Sequence, residues 1–336
     1  MAVTRLSDAI VPEVFFPYMQ VETQQKMAFY DAGVLSSDAA LGEKLSGGGR
    51  TFNVPFWKDL DDTESDVASD DPASDAVPAK IGSAQDIARR QIRTRGWSSA
   101  RLVRELAGDD PMKAISGRVS DYWARQFDDI AIASVRGVIA DNVANDSGDM
   151  VNDIATDSAS AETAAEWVSA EAVMDAAQTL GDKKSDLKLI VMHSVVQTRL
   201  AKLDLIDFRP DSSGTSFVPH YLDYRVHASD KVPAVAGSNR VTYHTYLFGE
   251  GALGWAESPV ERPVSVDTDE SAADGMGVDE LWTRRQICIH PYGIKFTDAS
   301  VAAEFPTNTE LRTAANWDRV YPERKQIPIA VLKTNG

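Results

Sequence analysis

The chain has 336 residues and a formal charge of −17, from 34 basic and 51 acidic side chains. Its 43% apolar and 25% charged residues are ordinary for a packed globular protein of about two domains, and exclude a collagen-like or wholly disordered chain. The charge disfavours a nucleic-acid reader or a binder of anionic membrane, the apolar runs fall short of the ~18–20 residues of a span, and the single Cys288 excludes an intrachain disulfide framework.

No charged segment followed by an apolar one opens the chain, so no signal peptide is expected. The first 20 residues mix Pro12 and Pro17 with Phe15, Phe16 and Tyr18. An aromatic, proline-broken stretch is a poor helix and a poor flexible tail, so an extended arm that buries its rings on another surface is expected. Residues 21–32 (VETQQKMAFYDA) read as a short helix, with Gly33 suited to the left-handed terminating position. After the glycine punctuation of residues 46–49, residues 51–57 (TFNVPFW) read as a strand. Residues 59–75 then hold eight acidic side chains, Asp59, Asp61, Asp62, Glu64, Asp66, Asp70, Asp71 and Asp75, and no basic one. Such a stretch buries too little apolar surface to offset its ordering entropy and reads as a solvated loop tip. A second extended stretch returns over residues 79–94, with Arg89, Arg90, Arg93 and Arg95 at its far end. Residues 51–95 therefore read as a long two-stranded arm, acidic at the tip and basic at the base.

The clearest helix follows. Asp109 or Asp110 can cap it, Pro111 suits its first turn, and Met112, Ile115, Val119, Tyr122 or Trp123, Phe127, Ile130, Ser134 and Val138 recur at steps of three and four. Run unbroken to about Asn142 it is ~45 Å long at 1.5 Å per residue, with Gly117 and Gly137 as its weak points. Polar, acidic residues 142–160 read as a linker or surface loop. The pattern then becomes α/β: a helix over 163–180 with Thr163 and Glu166 placed for a capping box and Gly181 to end it, a buried strand over 187–192, and a helix over 194–205. Strands are expected at 221–227 and 241–248, with a glycine-rich turn at 249–254. Others follow at 263–267, 283–289 and 294–297, an acidic insert at 267–279 separating the first two. There is no internal repeat.

No set of residues converges on a reaction. Histidines stand at 193, 220, 227, 244 and 290 without a metal-binding spacing such as HExxH. His220 and His227 flank one expected strand and, if it is straight, lie roughly 20 Å apart. His193-Ser194 sits between a strand and a helix, where a nucleophile elbow belongs, but GxSxG is missing and Ser194 reads as the helix N-cap. The GGGR of residues 47–50 lacks the Lys-Ser/Thr ending of a phosphate loop and reads as a hinge. The acidic run lacks the spacing of a calcium loop. Arg89, Arg90, Arg93, Arg95, Arg101 and Arg104 suit phosphate less than carboxylates, within the chain or on a neighbour.

An aromatic arm and a protruding hairpin remain, neither able to bury itself on one compact monomer. Both make sense on neighbouring copies of the same chain. In this setting residues 11–34 (VPEVFFPYMQVETQQKMAFYDAGV), 51–58 (TFNVPFWK), 110–124 (DPMKAISGRVSDYWA), 189–205 (LIVMHSVVQTRLAKLDL), 221–226 (YLDYRV) and 283–295 (TRRQICIHPYGIK) resemble, in order, the major capsid proteins of tailed bacteriophages with the HK97-type shell fold. The resemblance implies an α+β, HK97-like fold with an N-terminal arm (1–46), an extended β-hairpin loop over an adjacent subunit (47–98), a peripheral domain containing a long spine helix (99–160 and 256–336), and an axial domain (161–255). It departs from many members at Asp223, near which they have glycine.

The resemblance implies a structural shell protein, not an enzyme, that self-assembles through pentamers and hexamers into an icosahedral capsid around double-stranded DNA. It would work in the virion after assembly in the host cytoplasm, without cofactor or metal. It leaves no room for a built-in scaffolding segment, so a separate scaffolding protein is expected, beside a portal and decoration proteins. Contacts between copies are expected at Phe15, Phe16, Tyr18, Phe52, Trp57, Arg89, Arg90, Arg93 and Arg95. Reversing the charge of Arg89, Arg90 and Arg93 together is expected to lower assembly without unfolding the chain. The alternatives are an encapsulin-like nanocompartment shell and, in another class, a metal-dependent soluble hydrolase using His193, His220 or His244.

Overall fold

A computed structural model of the chain describes residue 23 and residues 27–58, 60, 63–65, 67–68, 78–107, 111–161, 163–210 and 217–336. Phe15, Phe16, Tyr18, seven of the eight acidic tip residues (all but Glu64) and the capping candidates Asp109 and Asp110 lie outside these residues.

The first described helix is α1 (Ala28–Asp31), closed by Gly33 at φ +82°, as the sequence leads one to expect. Then come β1 (Leu35–Ser37) and α2 (Ala39–Ser46), which the sequence reading missed. Asp38 caps α2, accepting from the amides of Ala40 and Leu41. β2 (Thr51–Trp57) and β3 (Ser83–Arg89) pair antiparallel from Thr51↔Arg89 to Trp57↔Ser83. Here the arm ends. β4 (Gln91–Ala100) leaves it and pairs with a distant strand, so Arg93 and Arg95 belong to a sheet and not to the arm.

The long helix is interrupted where Gly117 weakens it. α3 (Arg101–Ala107) and α4 (Pro111–Ser116) precede a spine helix, α5 (Val119–Asn145), of 27 residues, or ~40 Å. Residues 142–160 are not a linker. α5 continues into them, Met150 is buried, and β5 (Val151–Asp153) pairs parallel with the last strand of the chain. Asp157 accepts the amides of Ser238, Asn239 and Arg240 at 2.8–2.9 Å.

The helix expected at 163–180 is split. The capping box of Thr163 and Glu166 is present but starts a single 3-10 turn, and Ser169 caps the helix proper, α6 (Ala170–Gln178). β6 (Leu187–Met192) matches its expected bounds. α7 (Ser194–Lys202) is capped by His193, whose Nδ1 accepts from the Val195 amide at 3.2 Å; Ser194 is its first residue and not its cap. β7 (Asp207–Pro210) precedes β8 (Phe217–Tyr221) and β9 (Tyr224–Ala228), and these last two form a hairpin where one strand was expected. Leu222 and Asp223 make its two-residue turn with φ +50° and +69°, the left-handed values that favour glycine. β10 (Ala234–Ala236), β11 (Val241–Gly249), β12 (Leu253–Ser258) and β13 (Val264–Asp269) follow. β14 (Val278–Pro291) is twice its expected length, followed by β15 (Ile294–Phe296), α8 (Asn308–Leu311), β16 (Trp317–Arg319) and β17 (Ile329–Thr334).

Two sheets organise the chain. β14 is the axis of the five-stranded one: β13 and then β12 pair along one edge, β4 along the other, and β1 joins β12 in parallel. The eight-stranded sheet runs β5-β17-β11-β6-β9-β8-β7, with β10 on β11. Alternation along its central strands divides the core. Tyr246, Phe248, Leu189, Val191, Ile329 and Val331 share one cluster with α5. Leu247, Ile190, Met192, Ala330 and Leu332 share another with Val173, Ala176, Val196 and Leu200 of α6 and α7. Rings of Trp97, Tyr122, Trp123, Phe127 and Trp255 follow one another at centroid spacings of 5.0–5.7 Å, tying α5 to the five-stranded sheet. Among the described residues no helix is long and apolar enough to cross a membrane.

Candidate assembly surface

The β2–β3 ribbon is where the structure departs furthest from a self-contained globule. A two-stranded ribbon is marginal alone and needs a surface to lean on. At its root that surface is internal. Phe52 and Val54 pack on Leu41, Leu45, Ala88, Ala256 and Cys288, and Phe56 meets Tyr321 edge-on at 4.8 Å. Toward the tip the cover stops: Trp57 is 71% exposed. Of the eight tip carboxylates only Glu64 is described, and it is exposed.

The arginines at the root divide. Arg89 is buried, its guanidinium 2.7 Å from Asp298 and 2.8 Å from the Glu304 carbonyl, above the Phe296 ring. Arg90 donates to the carbonyls of Leu45 and Gly47, and Arg93 to Asn308 at 3.0 Å. Arg95 is exposed. These bonds lie within the chain, one of the two settings foreseen for the arginine group. Charge reversal at Arg89 would therefore place a carboxylate against Asp298 inside the fold, so the triple variant loads the chain's own stability as well as any contact between copies. A second fastening lies beside it: Asp86 of β3 accepts from the Gly293 amide at 2.9 Å, and His290 Nε2 stands 2.9 Å away.

Two further apolar surfaces escaped the sequence reading. On α3, Leu102, Val103 and Leu106 are exposed, Leu106 by 80%. In the eight-stranded sheet, β7 is the outer strand, and Phe208, Leu205, Leu203 and Leu222 on and beside it in the chain are exposed, Phe208 by 66%. Neither departs from ordinary amphipathic spacing enough to be seen without the fold.

The hydrolase candidates do not assemble into a site. His193, Ser194 and Asp230 meet at the start of α7, but Ser194 bonds to Asp230, and His193 Nδ1 is occupied by a backbone amide. The nucleophile-to-base hydrogen bond that a triad needs is missing among the described residues. His220 Nδ1 lies 3.0 Å from the Val218 carbonyl, His227 packs edge-on to Phe29, and His244 lies on β11. No group of three metal-ligating side chains forms among the described residues.

Comparison with known proteins bears on the whole chain. A family model for Gp13-like proteins, described as major capsid protein 13-like, matches residues 56–328. The major capsid protein of Bacillus phage SPP1 is 40% identical over 329 residues, 97% of this chain and 96% of that protein. Among solved structures, the capsid of Ralstonia phage GP4 aligns with a TM-score of 0.59 at 11% identity, covering 93% of this chain and 92% of that one. The cyanophage Pam1 capsid aligns with a TM-score of 0.57 at 10% identity over 90% and 89%.

Proposed function

From the premise that the chain belongs to the Gp13-like major capsid protein family, with an HK97-like α+β capsid fold, we propose that it is the shell subunit of an icosahedral phage head enclosing double-stranded DNA. It is a structural protein rather than an enzyme. The observation that carries the reading is the near-full-length 40% identity to a phage major capsid protein. The uncovered ribbon and the apolar surfaces of α3 and β7 support it, because a subunit with neighbours on several sides needs such surfaces.

In this reading residues 1–46 form an arm, 47–98 an extended loop laid over an adjacent subunit, 99–160 with 256–336 a peripheral domain that lends β5 and β17 to the sheet of the next, and 161–255 an axial domain whose β7 edge faces its counterparts in pentamers and hexamers. Phe15, Phe16, Tyr18, Trp57 and Arg95 contact neighbours, and Phe52, Arg89, Arg90 and Arg93 hold the loop in position for that contact. Assembly proceeds in the host cytoplasm with scaffolding, portal and decoration proteins supplied separately, and DNA is enclosed without sequence-specific binding. A net charge of −17 suits a container whose contents should not adhere to its wall.

Electron microscopy of the chain expressed alone and with a scaffolding protein, after light scattering, tests this. Closed shells or hexamer sheets are expected. A monodisperse monomer in both preparations, carrying near-stoichiometric zinc, would sink the reading.

A further inference from the structure

Between the spine helix and the eight-stranded sheet lies a cleft of about 360 Å3, lined by Arg136 and Val143 of α5, His244 and Tyr246 of β11, Arg312 just past α8 and Lys333 of β17. Three permanent cations face one small volume in a chain with 51 acidic residues against 34 basic ones. Other covered arginines have oxygen partners: Arg240, Arg285 and Arg319 pair with the carboxylates of Glu166, Glu257 and Asp149, while Arg93 and Arg324 donate to amide, hydroxyl or carbonyl oxygens. In the cleft only Lys333 has one, Asp153 at 3.0 Å. Arg136 and Arg312 have none among the described residues. The cleft wall repeats the imbalance. The Tyr246 hydroxyl is fully buried and, among the described residues, has no hydrogen-bond partner, and neither has His244 Nδ1. Burial, with Lys333 and Arg136 nearby, pushes His244 down to about 4, so it adds no charge at neutral pH. A buried donor without an acceptor is costly, and charged acceptors make the stronger hydrogen bonds. An anion in the cleft would meet two unpaired guanidinium groups and an idle hydroxyl at once.

The chain carries a matching occupant. Residues 59–75 hold eight carboxylates and no base, and Leu60 and Val67 among them are exposed, apolar side chains suited to the exposed Val143 at the cleft rim. The segment joins the ends of a ribbon of seven paired residues, which reaches ~24 Å from its root. We propose that the cleft is the receptor for segment 59–75 of a second copy, one of whose carboxylates lies between Arg136 and Arg312 and accepts from Tyr246. This rests on the reading of the chain as a shell subunit. Phosphates of nucleic acid offer similar oxygens, but a free polyanion is repelled by the net charge, whereas a segment delivered by an assembled neighbour arrives at high effective concentration.

The test uses the full chain with its own tip carboxylates replaced by amides, which leaves the cleft open, and a labelled synthetic peptide of residues 58–76. Fluorescence anisotropy is expected to show binding that weakens as salt is raised, at least tenfold in Arg136→Gln/Arg312→Gln and severalfold in Tyr246→Phe. Circular dichroism melts establish that the variants are folded. Equal peptide affinity in the double variant overturns the proposal, as does a short DNA duplex that binds the cleft more tightly than the peptide. Shells of the wild-type chain seen by microscopy alongside either result confine the failure to this contact. Failure of the wild-type chain to form shells even with scaffolding counts instead against the shell reading.

Discussion

The spine-helix core and the β2–β3 ribbon are built from the same kinds of side chain and end in opposite states. In the core, Trp123, Phe127, Trp255 and Phe248 are fully enclosed, and even the ion pair of Arg285 and Glu257 lies inside. In the ribbon, Phe52, Val54 and Phe56 are half-buried and Trp57 is open. The difference is geometric. A helix between two sheets is covered on several sides, whereas a two-stranded ribbon can lean one face on its own chain and must leave the other to something else. The ribbon is also stiffly fastened, because Arg89, Asp86 and His290 fix its root in the interior. The molecule thus holds an incomplete surface in a fixed direction.

That contrast can be broken at its strong end first. Gly137 lies where α5 crosses the α8–β16 region, and an added Cβ would press on the Leu311 carbonyl and the Trp317 indole nitrogen. Gly137→Ala, favourable by helix propensity, is expected to cost about 3 kcal/mol in urea denaturation of the unassembled chain. Arg89→Ala, at the junction of the two regions, strands Asp298 and is expected to cost about 2–3 kcal/mol, below the full value for a buried pair because Asp298 is partly exposed.

Asp128 offers a change of opposite sign. Burial raises its carboxyl to about 6, although the amides of Ala28 and Phe29 approach it at 3.4 Å. The folded chain therefore keeps a proton there from about pH 4 to 6 that the unfolded chain releases, so this group's contribution to stability falls as pH rises through that window. Asp128→Asn is expected to remove that slope and to add about 2 kcal/mol at pH 7, read from urea midpoints at pH 5 and 7. Replacing Leu222-Asp223 by Asn-Gly relieves two left-handed residues and is expected to add about 1 kcal/mol, after allowing for the exposed Arg209–Asp223 pair. Last, Trp57→Ala is expected to change the chain's own stability by less than about 0.5 kcal/mol while lowering shell yield in light scattering. A large loss of stability there would mean that the ribbon tip is not free after all.

The same contrast explains what could be read before the fold was known. Strands with a covered face, Thr51–Trp57 and Leu187–Met192, carry their own alternation or apolar run and were legible to the residue. Elements stabilised from a distance were not. The acidic stretch near residue 279 looked like an insert, but Arg101 holds Asp279 and Glu270, and β14 begins there. The β8–β9 turn was invisible because neither of its residues is glycine, and the missing glycine near Asp223 was the only trace of it. Gly137 read as a flaw in a helix because nothing local announces Trp317. Of the candidate site, the arm and its exposed tryptophan were legible. The internal bonds of Arg89 were not, since their partners lie more than 200 residues away.

Cys288 sits in the small cluster under the ribbon root, wholly enclosed, with its thiol pushed up by burial and made a poor nucleophile. As the chain's only sulfhydryl, it leaves the surface without a thiol for maleimides to alkylate. A cysteine introduced at an exposed position outside the proposed contacts, such as Asp175 on α6, would then be the sole reactive thiol on each subunit. Dyes, cargo or spectroscopic probes could be placed at one defined spot per copy without first removing a native group.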